Sequence, residues 1–343
     1  GPLSSPWLNT PRTRTMRLCH SVLALLTVGM ALLAPMAAPS AQTFPSQTVR
    51  IVVPMNAGTS ADLLARVLAD KLQPVWGQSV IVENRPGAGA VIGTDFAAKS
   101  PADGYTLLMN AIGHAANASL YKKLPYDALR DFTPISHVCN SGGLVIVVHP
   151  SLPVKSLQEF IKFAKAQPGL TYGSAGVGSG IHVCSVLLDG VMGTKITHIP
   201  YRGASFAMQD LLGGRIDFIA EQISTALPQI QGGNVKAIVA LGLDRAPGLE
   251  DLPTAEEQGM KGLDCGSWAS FSFPKGTPQP IVQKLAKATN EAIDTPAVRE
   301  RFQRIGVTVT PPERRGPEFL TKFVPAEIER WARPIKASGV SAE

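Results

Sequence analysis

Residues 171–188, TYGSAGVGSGIHVCSVLL, constrain this chain more than any other stretch. An extended run ends at Tyr172, and Gly173, Gly176, Gly178 and Gly180 break it, with Ser174 and Ser179 between them. From there Ile181, Cys184, Leu187 and Leu188 recur at helical spacing, so a helix starts near Ser179 or Gly180. A strand that runs through glycines into a helix N-terminus leaves several N–H groups without acceptors and aims them at one point. The helix dipole adds to their pull on an anion. An ordinary tight turn between strand and helix has the same pattern, so this stretch alone does not establish a binding site.

A second stretch repeats it. Residues 49–54 (VRIVVP) read as a strand, Asn56-Ala57-Gly58-Thr59-Ser60 as a turn and residues 61–72 as an amphipathic helix, with Ser60 suited to the N-cap and Asp62 to the first turn. Two anion-ready helix starts far apart in sequence predict two lobes facing one ligand.

The rest of the chain alternates in the same way. Strands are predicted near 79–82, 105–110, 135–139, 144–148, 196–199, 216–220 and 235–241, and helices over 91–98, 156–166, 204–212 and 224–231. This implies α/β lobes, each a mostly parallel sheet flanked by helices. The stretch Asn140-Ser141-Gly142-Gly143 suits a boundary. Beyond an extended run at 262–273, helices are expected over 280–293, 296–305 and 317–337. If that tail packs on the first lobe, the chain crosses between lobes near 139–143 and again near 262–267, which makes a hinge and a cleft.

Composition narrows the function. With 343 residues, 45% hydrophobic and 17% charged, the chain suffices for two medium α/β lobes. Residues 16–41 have the form of a secretory signal peptide: Arg17, an uncharged apolar run over 22–36, then small residues Ala38-Pro39-Ser40-Ala41. Residues 1–42 are therefore expected as a leader and the protein as periplasmic. The formal charge of +6 falls to +3 without Arg12, Arg14 and Arg17, and no basic run is interleaved with aromatics, so no nucleic-acid partner is expected. Cys139, Cys184 and Cys265 lie beyond the leader. Either all three are buried thiols, or Cys139 and Cys265, each near a proposed crossing, form a disulfide with Cys184 free.

No GxSxG, HExxH or CxxC motif occurs, which argues against an enzyme, and no metal or cofactor site is expected. The glycines at 87, 89 and 93 are spaced one residue too long for a dinucleotide fingerprint.

Taken in order, FPSQTVRIVVP, VENRPGAG, PADGYTLL, LYKKLPYDALRDFTPIS, VVHPSLPVKS, YGSAGVGSGIH, IPYRGA, DLLGGRIDF and LPTAEEQG resemble the Bug family, periplasmic solute receptors of tripartite tricarboxylate transporters. The resemblance runs from Phe44 to about Val340. It implies a two-lobed, Venus-flytrap fold of the type II periplasmic-binding-protein kind that closes on a small carboxylate, with transporter membrane subunits as partners, and a monomer is expected. Lobe 1 is then expected at 43–140 and 264–343 and lobe 2 at 141–263. A periplasmic ligand sensor is the alternative reading, and a periplasmic hydrolase a weaker one.

The residues expected to face ligand are Asn56, Ala57, Gly58, Thr59 and Ser60 in the first turn, and Gly113 and His114 after the strand at 105–110. In the glycine turn they are Ser174, Gly176, Gly178, Ser179 and His182, followed by Tyr201, Glu221 and Gln222. His182 can donate to a carboxylate or satisfy a nearby backbone group. Arg202 reads as a solvated turn residue and Trp268 as a packing residue near the cleft. The chain departs from the family pattern in two places. Its first turn lacks the usual run of prolines and glycines, and Glu221 stands where Asp-Asn-type residues are frequent, able to repel a second carboxylate or pair with an amine.

Overall fold

The computed structural model describes residues 44–141 and 143–342; the expected leader lies outside them. Among the described residues, no helix is long and apolar enough to cross a membrane.

The first sheet has six strands in the order β11-β4-β10-β3-β1-β2. They are β1 (Val49–Val53), β2 (Val80–Asn84), β3 (Thr106–Asn110), β4 (Phe132–Ser141), β10 (Ser267–Pro274) and β11 (Val307–Val309). The pairings make β1 to β4 point one way and β10 and β11 the other. The second sheet has five strands in the order β7-β6-β8-β5-β9. They are β5 (Leu144–Val148), β6 (Thr171–Ser174), β7 (Thr197–Pro200), β8 (Phe218–Gln222) and β9 (Lys236–Ala240), of which β5 alone runs against the rest. Most strands in each sheet share one direction. The reversed strands include β5 and β10, which enter each sheet directly after a crossing.

Among the described residues, ten α-helices connect and cover these strands: α1 (Ser60–Trp76), α2 (Val91–Ala98), α3 (Ile112–Leu120), α4 (Leu157–Ala166), α5 (Gly180–Met192), α6 (Ala204–Leu212), α7 (Ile223–Gln231), α8 (Gln279–Asp294), α9 (Pro296–Arg304) and α10 (Gly316–Ser338). The helix α3 is absent from the sequence expectation, although Ile112, Ala115, Ala116 and Leu120 share one buried face. Its glycine, Gly113, and its asparagine, Asn117, mask that stripe. The strand β11 is also missing from it. Only three residues long, it is held by antiparallel pairing to β4.

Each sheet buries its own core. Ile51, Leu64, Leu68, Phe271, Leu285 and Phe302 fill the first, and Ile146, Phe160, Phe218, Leu188 and Val239 the second. The second core continues into Ala116 and Leu120 of α3 and Trp331 and Ile335 of α10, so those helices bridge from the first sheet to the second.

The chain passes between the sheets after β4 and after β9, and the crossings touch. Leu241 donates its N–H to Leu144 O at 2.7 Å, and Cys265 donates to Leu241 O at 2.6 Å. Gly143 has φ +84°, and a Cβ there would lie 2.6 Å from the Gly242 nitrogen. Only glycine tolerates both that backbone and that approach.

The cysteine pairing differs from the expected one. Cys184 on α5 is bonded to Cys265 on the second crossing, with Cα atoms 5.8 Å apart, and Cys139 is a buried free thiol. Cys139 sits on β4 opposite Ala269, four residues beyond Cys265, inside the core of the first sheet. That apolar burial pushes its thiol up to about 12. Cys265 instead lies beside Leu241, where the inner face of α5 presents Cys184. The bond therefore ties the second crossing to the second sheet's helix layer.

Candidate functional site

Parallel strands of one sheet deliver all their following turns to the same edge, and ligands collect there in open α/β folds. Here both sheets turn that edge toward one cavity of about 640 Å³. From the first sheet it is lined by Asn56, Thr59 and Ser60 after β1, residues 87–90 after β2, and Ala111, Ile112 and Gly113 after β3. From the second come Gly176, Val177, Ser179 and Gly180 after β6, Tyr201, Arg202 and Gly203 after β7, and Glu221, Gln222 and Thr225 at the end of β8 and the start of α7.

The turn after β1 is folded by Asp62. Its carboxylate accepts from Gly58 N at 2.9 Å, Asn84 Nδ2 at 3.0 Å and Arg66 Nε at 3.0 Å. Burial works to raise this carboxyl. The hydrogen bonds from Arg66, Gly58 and Asn84, with the Arg66 charge, outweigh burial and hold it below the usual range. Asp62 is thus committed to the loop. The N-cap is Thr59 rather than the expected Ser60, and the Thr59 hydroxyl turns back to Asn56 O at 2.9 Å. No side chain caps α1, so the amides of its first turn keep their capacity for an external acceptor.

The glycine turn is built differently. Gly176 and Gly178 have φ of +110° and +86°, the left-handed region. Ser179 is the N-cap of α5: its Oγ accepts from His182 N at 3.3 Å and donates to Gly176 O at 2.7 Å. Gly178 N donates to His182 Nδ1 at 3.2 Å, so His182 serves the backbone and does not face the cavity. The amides of Gly180 and Ile181, first in the helix, have no acceptor within it and border the cavity.

Ser174, expected to meet ligand, is 0% exposed. Its Oγ lies 2.6 Å from His198 Nε2 and accepts from Gly176 N at 3.0 Å, so it braces the turn from behind. The His198 ring stacks on His182 at 4.3 Å. Burial pushes both imidazoles down to about 4, and the His198 charge adds to the effect on His182. Neither member of this Ser–His contact lines the cavity. His114 is likewise turned away. It is buried, with Nε2 2.9 Å from Ala128 O, and packs edge-on to Phe132. Burial is the first cause of its fall to about 4.

Among the other expected residues, Asn56, Thr59, Ser60, Gly113, Gly176, Ser179, Tyr201, Glu221 and Gln222 line the cavity, while Ala57, Gly58 and Gly178 do not. Gly178 is displaced because it faces α3, where a Cβ would meet Asn117 Oδ1 at 2.5 Å. The Tyr201 ring lines the cavity, but its hydroxyl donates to Asp210 Oδ2 at 2.7 Å. Trp268 contributes to the wall while its indole N–H donates to Glu327 Oε2 at 2.8 Å.

The residues at 86–90 are absent from the sequence expectation. They form a short turn in which Ala88 and Ala90 have φ of +47° and +82°. Asn117 Nδ2 holds Gly89 O at 2.7 Å and Tyr121 OH holds Ala88 O at 2.8 Å. Their place after a parallel strand is the signal that could have found them. Reading the glycines only against a nucleotide fingerprint hid it. Phe206, 48% exposed, is a further lining residue that sequence reasoning missed.

Residues 64–340 match the family described as "Tripartite tricarboxylate transporter family receptor". The chain belongs to that family. Protein BugT of Bordetella pertussis is 38% identical over 324 residues, 93% of this chain and 97% of BugT. The solved periplasmic binding protein BugD superposes with a TM-score of 0.83 at 35% identity, covering 88% of this chain and all of that one. Two Rhodopseudomonas palustris proteins superpose almost as well. MatC, solved with malate, gives 0.81 at 34% identity over 85% of this chain and 100% of its own. Rpa4515, solved with adipate, gives 0.82 at 32% identity over 87% of this chain and 99% of its own. The two-sheet α/β architecture is thus the two-lobed periplasmic-binding-protein fold, in a family of solute-binding receptors.

Proposed function

We propose that this receptor captures a small carboxylate in the cleft between its two sheets, in the periplasm, and hands it to the membrane subunits of a tripartite tricarboxylate-type transporter. The observation that carries the reading is the convergence of helix N-termini from both sheets, α1 and α3 on one side and α5 and α6 on the other, on one cavity. Oriented amides stabilise an anion without a counter-charge. Among the described residues, Arg202 is the one cationic lining residue, and it is exposed. A charge-assisted hydrogen bond contributes roughly 1.5–3 kcal/mol. Three or four such bonds sustain micromolar affinity, about −8 kcal/mol, after the costs of closure.

Support for a carboxylate also comes from the malate and adipate held by two relatives at similar TM-scores. The test is a thermal-shift screen of mono-, di- and amino-carboxylates, followed by calorimetry. At about 100 times its dissociation constant, a ligand adds roughly 2.7 kcal/mol of stability. A screen in which sugars or cations stabilise the protein and no carboxylate does would overturn the reading.

A further inference from the structure

Glu221 does not belong in a cavity made only for anions. It ends β8, lines the cavity and is 1% exposed. Its Oε1 accepts from Gln222 N at 2.8 Å and from Thr225 Oγ1 at 2.8 Å. Both bonds fall on one oxygen. Among the described residues, Oε2 has no protein donor and the carboxylate has no salt-bridge partner. The other charged lining residue, Arg202, is an exposed residue of the turn after β7.

A carboxylate this deeply buried is costly unless a donor or cation meets it. Burial pushes the Glu221 carboxyl up, against the lowering by Thr225 and the Gln222 amide. A second negative charge brought against it from a ligand is repelled more strongly than in water, because little solvent separates the two. A ligand ammonium meets every requirement at once: it donates to Oε2, neutralises the buried charge and leaves the two bonds to Oε1 intact. Leu64, Ile112, Ile181 and Trp268 meanwhile offer apolar walls for a hydrocarbon body.

We propose that this cleft selects a zwitterion, a carboxylate that also carries a cationic amino group, with the carboxylate at the helix N-termini and the ammonium on Glu221 Oε2. The inference rests on reading the cleft as a carboxylate site and adds the second recognition point to it. Glu221 is then the specificity-determining residue that turns a dicarboxylate cleft into an amino-carboxylate one.

The experiment is calorimetry on the folded protein with a matched set: 6-aminohexanoate, adipate and hexanoate, which differ in one terminal group, together with 5-aminovalerate, 4-aminobutyrate, leucine and phenylalanine. At least one amino compound is expected to bind about tenfold or more tighter than adipate and hexanoate, the scale of one charge-assisted hydrogen bond. Glu221→Gln is expected to weaken that amino compound about tenfold or more and to tighten adipate. The selectivity of the unaltered protein decides the matter even if the variant folds poorly. Adipate or hexanoate binding as tightly as every amino compound overturns the zwitterion assignment and leaves the carboxylate reading standing. So does adipate affinity that rises from pH 7 to pH 5 and vanishes in Glu221→Gln, since Glu221 would then act as a proton donor. Failure of every compound in the set to bind overturns the zwitterion assignment, and a wider carboxylate screen that is also empty overturns the carboxylate reading with it.

Discussion

Asn56 Nδ2 donates to Arg202 O at 2.8 Å, joining the turn after β1 in one sheet to the turn after β7 in the other, 146 residues away. The bond crosses the cavity mouth and uses Arg202 through its backbone. A Cβ on the adjacent Gly203 would lie 2.2 Å from the same Asn56 nitrogen, so the approach depends on glycine there. Closure of two lobes over a ligand needs contacts of this kind, made only when the lobes meet.

Asn56→Ala removes the bridge without touching either core. A neutral hydrogen bond contributes about 0.5–1.5 kcal/mol net, so ligand affinity should fall about two- to tenfold. Because the contact is to a carbonyl, Arg202→Ala should leave the bridge intact and cost less. Calorimetry of both variants with one confirmed carboxylate checks the order. The reverse ranking would mean that the guanidinium pairs directly with ligand.

Gly178→Val should nearly abolish binding while leaving the fold in place. Its φ of +86° disfavours a β-branched residue, and a Cβ meets Asn117 Oδ1 at 2.5 Å and Leu120 at 3.1 Å. Those neighbours belong to α3, so the added bulk pushes the glycine turn off the first sheet's side of the cleft. Small-angle scattering with saturating ligand should show a larger radius for the variant than for the unaltered protein. Unchanged affinity would show that the turn and α3 separate at no cost.

The Cys184–Cys265 bond predicts a thiol count. Oxidised protein lacking residues 1–42, denatured without reductant, should titrate one thiol, Cys139, and three after reduction. A disulfide closing a loop of 81 residues typically contributes about 2–4 kcal/mol. Cys184→Ala with Cys265→Ala should therefore lower Tm by several degrees. Three free thiols before reduction would refute the pairing.

Stability should fall on mild acidification. Burial holds His114, His137, His182 and His198 down to about 4, against an ordinary value of 6.5. Between those values the unfolded chain binds protons that the folded chain does not. Stability is therefore full above about 6.5 and declines as pH falls toward 4. Burial raises Asp189 and Glu221, which contribute in the opposite sense, but they are two groups against four. Tm measured from pH 7.5 to 4.5 should fall steadily. A flat or rising curve would show that the imidazoles reach solvent.

Much of the fold was legible because it depends on local pattern. Alternating apolar runs and helical stripes located β5, α2 and α6 to the residue, since burial on one face leaves a period in the sequence. The glycine turn was legible too, because left-handed backbone at Gly176 and Gly178 requires that residue type. α3 was not. Its inner face is made of alanines whose role becomes visible only when α5 and α10 pack against them.

By itself, the sequence determined the α/β alternation, the two strand-to-helix turns and the family, because each is written in contiguous residues. Tertiary structure alone decided which side chains reach the cavity. Ser174, His114 and His182 stand in or beside the right turns, yet Ser174 Oγ, His114 Nε2 and His182 Nδ1 are engaged by His198, Ala128 O and Gly178 N. Cys265 met Cys184 and not Cys139 because adjacency across a crossing depends on strand register and helix facing, which no spacing records. The one-sided bonding of Glu221, with Gln222 N and Thr225 Oγ1 both on Oε1, is of the same kind. A carboxylate at the end of a strand says nothing of its partners until every neighbouring element has been placed around it.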